Sequence, residues 1–505
     1  MLHCLLALLN CFFTCLLVPS AYSDRLPKAT GKFVLFTDFH IDNHYDPRGD
    51  PTKMCHWNET NATNRTMANA NTSPGPFGTR SCDSPLSLVN FMVKEAQKQL
   101  ESPDYVIWTG DNAAHDEYDE KRFFDTLESA NSVILSRFPN AIVIPVVGNH
   151  ESVPGNDFTD NGTNNFAGIF ERWKNWIGES AKDTFLRGGY YLFRSPLDNS
   201  SFLILNTNFY YVGNKVLKRV KLNISNIILL WEIDNFEHPE DPAGQFAFLE
   251  YQLKEAKRNN GIVHILAHIP IGAYEMYKTD REDWKPEMSG PYNQRLYELF
   301  VKYAPWIGWM LFGHLHTDTF RIIKSPDGSA VQRMFLNPAV TPLFNLNNPA
   351  FRIYEYNTKS MEIEDIKYVT FFVNLEALNA NGAEISEAKF EYSFRQTYGI
   401  QSPLNAKSLD NLVERMKQNE TLFDQYFNYS SVQWMTRKLN ETERKSHLCV
   451  VEFVDFDQLE RCINPKMTLP FFYVLLLLGS LFVISVAFLA AFFFLPYIRK
   501  KMSKI

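Results

Sequence analysis

Phe33-Val34-Leu35-Phe36-Thr37-Asp38-Phe39-His40 (residues 33–40) is the stretch on which the fold turns. Five apolar or β-branched residues run straight into an aspartate and a histidine. A short apolar run of this kind is the pattern of a buried strand. Working outward, the pattern recurs. Tyr105–Thr109 leads into Gly110-Asp111-Asn112, with His115 following, and Ala141–Val147 leads into Gly148-Asn149-His150-Glu151. Ile262–Ala267 ends at His268, and Trp306–Phe312 leads into Gly313-His314-Leu315-His316. Phe202–Asn206 is a sixth run, and Arg333–Leu336, Phe351–Tyr356 and Ile363–Phe372 are further strands without intervening helices. Helix candidates lie between the earlier runs. Pro85–Leu100 carries Leu86, Val89, Val93 and Ala96 at helical spacing, and Phe246–Arg258 is another. Strands alternating with helices imply a layered α/β (α+β) domain, helices outside. Beyond about Leu375 the strand signal fades. Leu409–Lys417 and Val432–Leu439 read as helices of a small C-terminal subdomain.

Five polar motifs at or just after strand ends carry the chemistry. In open α/β sheets, ligand sites gather outside the carboxyl ends of strands. Asp38 and His40 are spaced i, i+2, as are His314 and His316. On extended backbone each pair points to one side and can bind like a chelate. Imidazole and carboxylate suit zinc, manganese or iron better than calcium. The glycines before Asp111, Asn149 and His314 permit tight turns as the chain leaves each strand. One such motif alone is commonplace; five in order are not. The remaining histidines, His44, His56, His238, His264 and His447, read as surface or structural. Trp173, Trp176, Trp306 and Trp309 read as core rather than as a substrate platform.

Composition and termini set the compartment. The chain has 505 residues, 45% apolar and 21% charged, so it can bury a sizeable core. Its net charge of -7 excludes a protein that coats nucleic acid, and no nucleic-acid-binding surface is evident. Residues 1–23 read as a signal peptide, with Ala21-Tyr22-Ser23 as the small-x-small cleavage pattern. Residues 469–496 read as a membrane-spanning helix followed by a basic tail, residues 497–505. This predicts a single-pass type I protein of the secretory pathway, its bulk extracellular or lysosomal. A cleaved lipid-anchor signal is the rival reading of the same stretch. Cys55, Cys82, Cys449 and Cys462 remain after the leader, and their even number suggests two disulfides. Three pairings exist; the local ones, Cys55–Cys82 and Cys449–Cys462, are simplest. Ten N-x-S/T sequons, four of them between Asn58 and Asn71, mark a glycoprotein.

The ordered motif set resembles the calcineurin-like metallophosphoesterases. Thr52-Lys53-Met54-Cys55, Pro74-Gly75-Pro76-Phe77-Gly78, Cys82-Asp83-Ser84-Pro85 and Ile107-Trp108-Thr109-Gly110-Asp111 further resemble the acid sphingomyelinase-like phosphodiesterases. The likeness spans roughly Lys32 to Cys462. It implies a β-sandwich flanked by helices, with residues 24–375 as catalytic domain and 376–465 as helical subdomain. It also implies two divalent ions, zinc in the family. Asp38, His40, Asp111 and His316 match the ligands of one ion. Asp111, Asn149, His268 and His314 match those of the other, so that Asp111 bridges. His150 and His115 match two histidines beside the scissile phosphate. Two such ions can hold a bridging hydroxide that attacks phosphorus.

The resemblance offers two substrate classes. Sphingomyelinase proper carries an N-terminal saposin domain, and only nine residues separate Ser23 from Phe33 here. Hydrolysis of phosphodiester or phosphoanhydride bonds in nucleotides is therefore expected first. Release of ceramide and phosphocholine from sphingomyelin, a phospholipid-headgroup substrate, comes second, with the membrane helix replacing saposin. A non-catalytic glycoprotein on the same scaffold is the reading from another class; it predicts a lost ligand, and all seven are present. Oligomeric state is left open by the sequence.

Overall fold

The computed structural model describes residues 30–465, apart from 58–72, 162–164, 199, 225–226, 276–283, 344–346, 364–370, 385, 402 and 436. The expected signal peptide, membrane helix and basic tail lie outside the described residues, as does the sequon cluster Asn58–Asn71. Among the described residues no helix is long and apolar enough to cross a membrane.

Twelve strands build two six-stranded sheets. In chain order they are β1 (Thr30–Phe36), β2 (Tyr105–Trp108), β3 (Ile142–Pro145), β4 (Tyr191–Arg194), β5 (Ser201–Ile204) and β6 (Val263–Leu266). They continue with β7 (Ile307–Phe312), β8 (Thr319–Lys324), β9 (Ala330–Leu336), β10 (Ala350–Asn357), β11 (Phe371–Phe372) and β12 (Lys389–Phe390). The first sheet runs β12-β11-β10-β1-β2-β3 and the second β8-β9-β7-β6-β5-β4. β1, β2 and β3 are mutually parallel, as are β5, β6, β7 and β9. Antiparallel partners close the edges. The sheets meet through aromatic rings. Phe33 of β1 stacks on Trp309 of β7 at 4.8 Å and on Tyr354 of β10 at 4.7 Å. Trp173 and Trp309 are fully buried, and Trp176 and Trp306 pack against the core. The tryptophans are core, as expected.

Helices cover the outer faces. α1 (Leu86–Gln99) and α2 (Glu120–Arg137) pack together, with Leu88, Val89, Met92, Val93 and Ala96 buried on α1. α3 is Phe166–Ile177, α4 Gln245–Arg258 and α5 Gly290–Lys302. The last four are α6 (Ala406–Gln418), α7 (Glu420–Ser430), α8 (Glu441–Glu452) and α9 (Phe456–Ile463), of which α6 and α8 pack on β8. Disulfides join Cys55 to Cys82 and Cys449 to Cys462, the local pairing.

Two expectations change, and one strand was not foreseen. Val432–Leu439 is not a helix: α7 ends at Ser430, and Val432 and Gln433 take positive φ of 51° and 58°, which breaks the helical path. The run Ile363–Phe372 contributes only Phe371–Phe372 to a described strand, 364–370 lying outside the description. Strand β8 was hidden by its charges. All six residues of Thr-Phe-Arg-Ile-Ile-Lys are buried, because Arg321 pairs with Glu275 at 2.9 Å and Lys324 with Glu452 at 2.6 Å and Asp410 at 2.9 Å. Partners drawn from other elements are what permit charge inside a strand.

Candidate metal centre

The polar motifs converge at one end of the sandwich, and the way they do so differs from a pair of extended strands. β1 stops at Phe36 and β7 at Phe312. Asp38, His40, Asp111, His314 and His316 all have positive φ, of 52°, 42°, 59°, 69° and 57°. Non-glycine residues adopt this conformation at a cost, and such strain gathers at functional sites. The side chains are therefore aimed by tight turns rather than by strand alternation. Backbone bonds hold the turns against one another: Asp38 N donates to Gly110 O at 2.9 Å, His40 N to Asp111 O at 3.0 Å, and Gly313 N to His268 O at 3.0 Å. Of the three motif glycines, Gly110 needs its freedom for φ of +95°, whereas Gly313 is required for space. A Cβ on Gly313 would meet Thr37 Oγ1 at 2.0 Å and Asp38 Oδ2 at 2.9 Å.

Three clusters of ligand-type atoms result, each within 4.8 Å. They are Asp38, His40 and His316; Asp111, His268 and His314; and His40, His115 and His150. His314 and His316 thus part into different clusters instead of chelating together. Asp111 lies between the first two. Its Oδ2 is 3.4 Å from His40 Nε2 and 3.0 Å from His268 Nε2, while Asp38 Oδ1 is 3.2 Å from His316 Nε2. Asn149 is buried beside Asp111: the N–H of the next residue, His150, donates to Asp111 Oδ1 at 2.8 Å, Asn156 N donates to the Asn149 backbone carbonyl at 2.8 Å, and the Asn149 side-chain Oδ1 has no hydrogen-bond partner.

The outer hydrogen bonds decide which ring nitrogen faces inward. Nδ1 of His40, His268 and His316 contacts the carbonyl oxygens of Ala113 (3.0 Å), Thr109 (2.7 Å) and Leu343 (3.0 Å). A carbonyl only accepts, so Nδ1 carries the proton and Nε2 presents its lone pair to the centre. His314 is reversed. Its Nε2 faces Glu287 Oε2 at 3.1 Å, leaving Nδ1 as the inward atom. Such outer partners fix the orientation and basicity of metal-binding imidazoles.

The buried atoms fit a pair of cations. Asp38 Oδ1, His40 Nε2, Asn149 Oδ1 and His268 Nε2 are all buried without an aligned hydrogen bond. Such orphans cost about 1–3 kcal/mol each unless something else satisfies them. Electrostatics agree. Burial opposes ionisation of Asp38 and Asp111, yet His316 and His268 respectively hold both carboxyls below the usual range, Asp111 well below. Against the same burial, Asp111 pulls His268 up to about 9, and Asp38 raises His316. A site that draws protons onto buried imidazoles is short of positive charge. The clusters fit a dinuclear metal centre.

The third cluster lies to one side. The His115 ring stacks on His40 at 3.8 Å, and His150 meets His115 edge-on at 4.4 Å. Burial and the neighbouring imidazoles push His115 down to about 3 and His150 down to about 4. Glu151, quoted in its motif but given no role, locks two turns together. Its carboxylate accepts from the backbone N–H of Asp111 (2.8 Å), Asn112 (2.7 Å) and Gly148 (2.6 Å). Glu287 was missed altogether. It lies 27 residues from His314, and only the fold brings it there. Among the other histidines, His264 and His447 are buried and His238 is exposed on the surface, while His56 pairs with Asp42 at 2.8 Å.

Fold and site together define a metal-dependent phosphoester hydrolase. The chain belongs to the calcineurin-like phosphoesterase family, whose model matches residues 31–318, and to its acid sphingomyelinase-like phosphodiesterase branch. A second model, the acid sphingomyelin phosphodiesterase C-terminal region, matches residues 329–469. The human acid sphingomyelinase-like phosphodiesterase 3b is 30% identical over 89% of this chain and 94% of its own. The Bos taurus cyclic GMP-AMP phosphodiesterase SMPDL3A is 31% identical over 86% of this chain and 91% of its own. The sphingomyelinase phosphodiesterase D of Dictyostelium discoideum is 27% identical over 77% of this chain and 81% of its own. The protein is a metal-dependent phosphodiester hydrolase.

Proposed function

We propose that the chain hydrolyses phosphodiester or phosphoanhydride bonds of nucleotides at a dinuclear zinc centre. The observation that carries this is Asp111 Oδ2, set between His40 Nε2 and His268 Nε2 at 3.4 and 3.0 Å. In this reading Asp38, His40, Asp111 and His316 hold one ion, and Asp111, Asn149, His268 and His314 the other. When bound, the two ions supply a water activated near neutral pH and positive charge for the phosphate oxygens. The chain's own groups do the rest. His150 and His115, packed on His40, face the bond to be broken and serve phosphate charge and the leaving oxygen. Glu151 and Glu287 keep the turns and His314 in register.

The nucleotide reading draws on the relative named for cyclic GMP-AMP. Sphingomyelin is the second reading, supported by the name of the Dictyostelium relative and by the apolar stretch 469–496. The compartment belongs to the same proposal: a glycosylated type I protein anchored by that stretch, its catalytic domain (24–375) and helical subdomain (376–465) outside or lumenal. Two disulfides support an oxidising compartment. The test is side-by-side turnover of ATP, a cyclic dinucleotide and sphingomyelin by the zinc-loaded full chain, with His150→Ala as control. Turnover of sphingomyelin alone would reverse the order of the two readings. Turnover of none, with fewer than one transition metal per chain, would leave the non-catalytic glycoprotein.

A further inference from the structure

The excursion from His268 to Glu287 begins and ends at the second cluster. His268 supplies a ligand-type atom at one end, and Glu287 faces the His314 ring at the other. Between them Ala273–Glu275 pairs antiparallel with Trp284–Pro286. This ladder rests on the hairpin of α8 and α9, which the Cys449–Cys462 disulfide closes. Ala273 shares a small apolar cluster with Cys449, Val450 and Leu459, and the Trp284 ring lies 5.4 Å from that of Phe456.

One side chain joins the excursion to the hairpin. Asn293, near the start of α5, is 1% exposed and uses both ends of its amide. Its Oδ1 accepts from Gly272 N at 2.7 Å, and its Nδ2 donates at 2.9 Å to Val454 O, in the turn between α8 and α9. A backbone N–H only donates and a carbonyl only accepts, so a single orientation of the amide satisfies both. Gly272 O in turn accepts from Glu287 N at 3.1 Å. Gly272 also lies close against the same turn: a Cβ on it would meet Val454 Cα at 3.3 Å. The Gly272 residue, four after His268, is thus bonded on one side to Asn293 and on the other to the segment that faces His314. His40 and His316 of the first cluster hang instead on the carbonyls of Ala113 and Leu343.

We propose that Asn293 is a positioning residue for the second ion: through it the C-terminal hairpin holds Gly272 and Glu287, and so His268 and His314. The inference rests on the dinuclear reading above. The experiment challenges zinc-loaded full chain with a graded series of chelator and reads the zinc retained per chain, which falls in two steps. Asn293→Ala is expected to weaken one step by about 5- to 10-fold and the other by less than about twofold, the low end of what outer partners of metal-binding groups are worth. The weakened step should be the one that Glu287→Gln weakens. Asn131→Ala is the control for general loosening. It removes another buried amide, bonded to Trp173 Nε1 at 3.2 Å, and should leave both steps within about twofold whatever it does to the melting temperature. Cys449→Ser with Cys462→Ser frees the hairpin while Asn293 stays in place. This pair should weaken the same step, and it carries the test if Asn293→Ala does not fold. No change, equal weakening of both steps, weakening of the other step alone, or the same selective loss in Asn131→Ala overturns the role of Asn293 and leaves the dinuclear reading standing. A wild-type chain that holds fewer than two zinc ions sinks that reading and this inference with it.

Discussion

His268 on the catalytic edge and His447 in the C-terminal helical layer are the same residue type, both fully buried, both near a carboxylate. They are driven in opposite directions. Asp111 lifts His268 to about 9 against its burial, whereas burial pushes His447 of α8 down to about 4. The difference lies in the company each carboxylate keeps. The groups that most lower Asp111 are the imidazoles of His268, His150 and His40. Glu275, 3.9 Å from His447, is already paired with Arg321 at 2.9 Å. Aromatic rings of Phe423, Tyr426 and Phe427 surround His447 on other sides. Burial alone does not mark a functional histidine. Nor does an orphaned ring nitrogen, since His264 Nε2 is one too and sits against Trp309 and Phe202. The mark is several such nitrogens around carboxylates that no other cation neutralises.

The sharpest way to break this contrast is Asp111→Asn. The amide cannot carry the charge between the two clusters, and the loss of several kcal/mol of charge stabilisation predicts a fall in kcat/KM of about 10³-fold. Transition metal per chain, measured by elemental analysis, should fall with it. Full metal content and full activity in this variant would remove the bridging role.

Glu287→Gln tests the outer partner of His314. The glutamine can still accept, so the ring stays, but the negative charge beside it is gone. Outer-partner losses of this kind cost about 10–100-fold in metal affinity, and competition with a chelator measures it. An unchanged affinity would mean that Glu287 serves only as wall.

The C-terminal layer gives the smallest effect and the opposite readout. His447 is neutral in the fold because its folded pKa, about 4, lies below the unfolded value near 6.5. The unfolded chain therefore gains the proton first on acidification. Wild-type stability is full above about pH 6.5 and declines as the pH falls toward 4, by about 2 kcal/mol at pH 5. His447→Gln should lessen the drop in melting temperature between pH 7.5 and 5 while leaving kcat intact at neutral pH. An equal drop in both proteins would assign the acid sensitivity elsewhere.

Much of this was legible in the chain. Runs such as Phe33–Thr37 and Trp306–Phe312 reveal themselves because strands buried on both faces are continuous apolar stretches. The motifs that follow them name the ligand types, and six of the seven candidate ligands fall in two adjoining clusters. What the sequence concealed has common causes. β8 carries Arg321 and Lys324 and looks exposed until Glu275, Glu452 and Asp410 arrive from distant elements. The i, i+2 spacing of His314 and His316 suggested one chelate, but the two fall in separate clusters, as the family resemblance and not the spacing implied. Glu287 has no local pattern that ties it to a histidine.

The sequence by itself determined which side chains leave the strand ends and hence what chemistry is possible, because apolar periodicity and ligand type are properties of neighbouring residues. Only the tertiary structure decided which nitrogen of each imidazole faces inward, which carboxylate lies between the clusters, and which histidines stand apart from them. Those depend on hydrogen-bond partners and charges contributed by residues far along the chain, and no local pattern encodes such encounters.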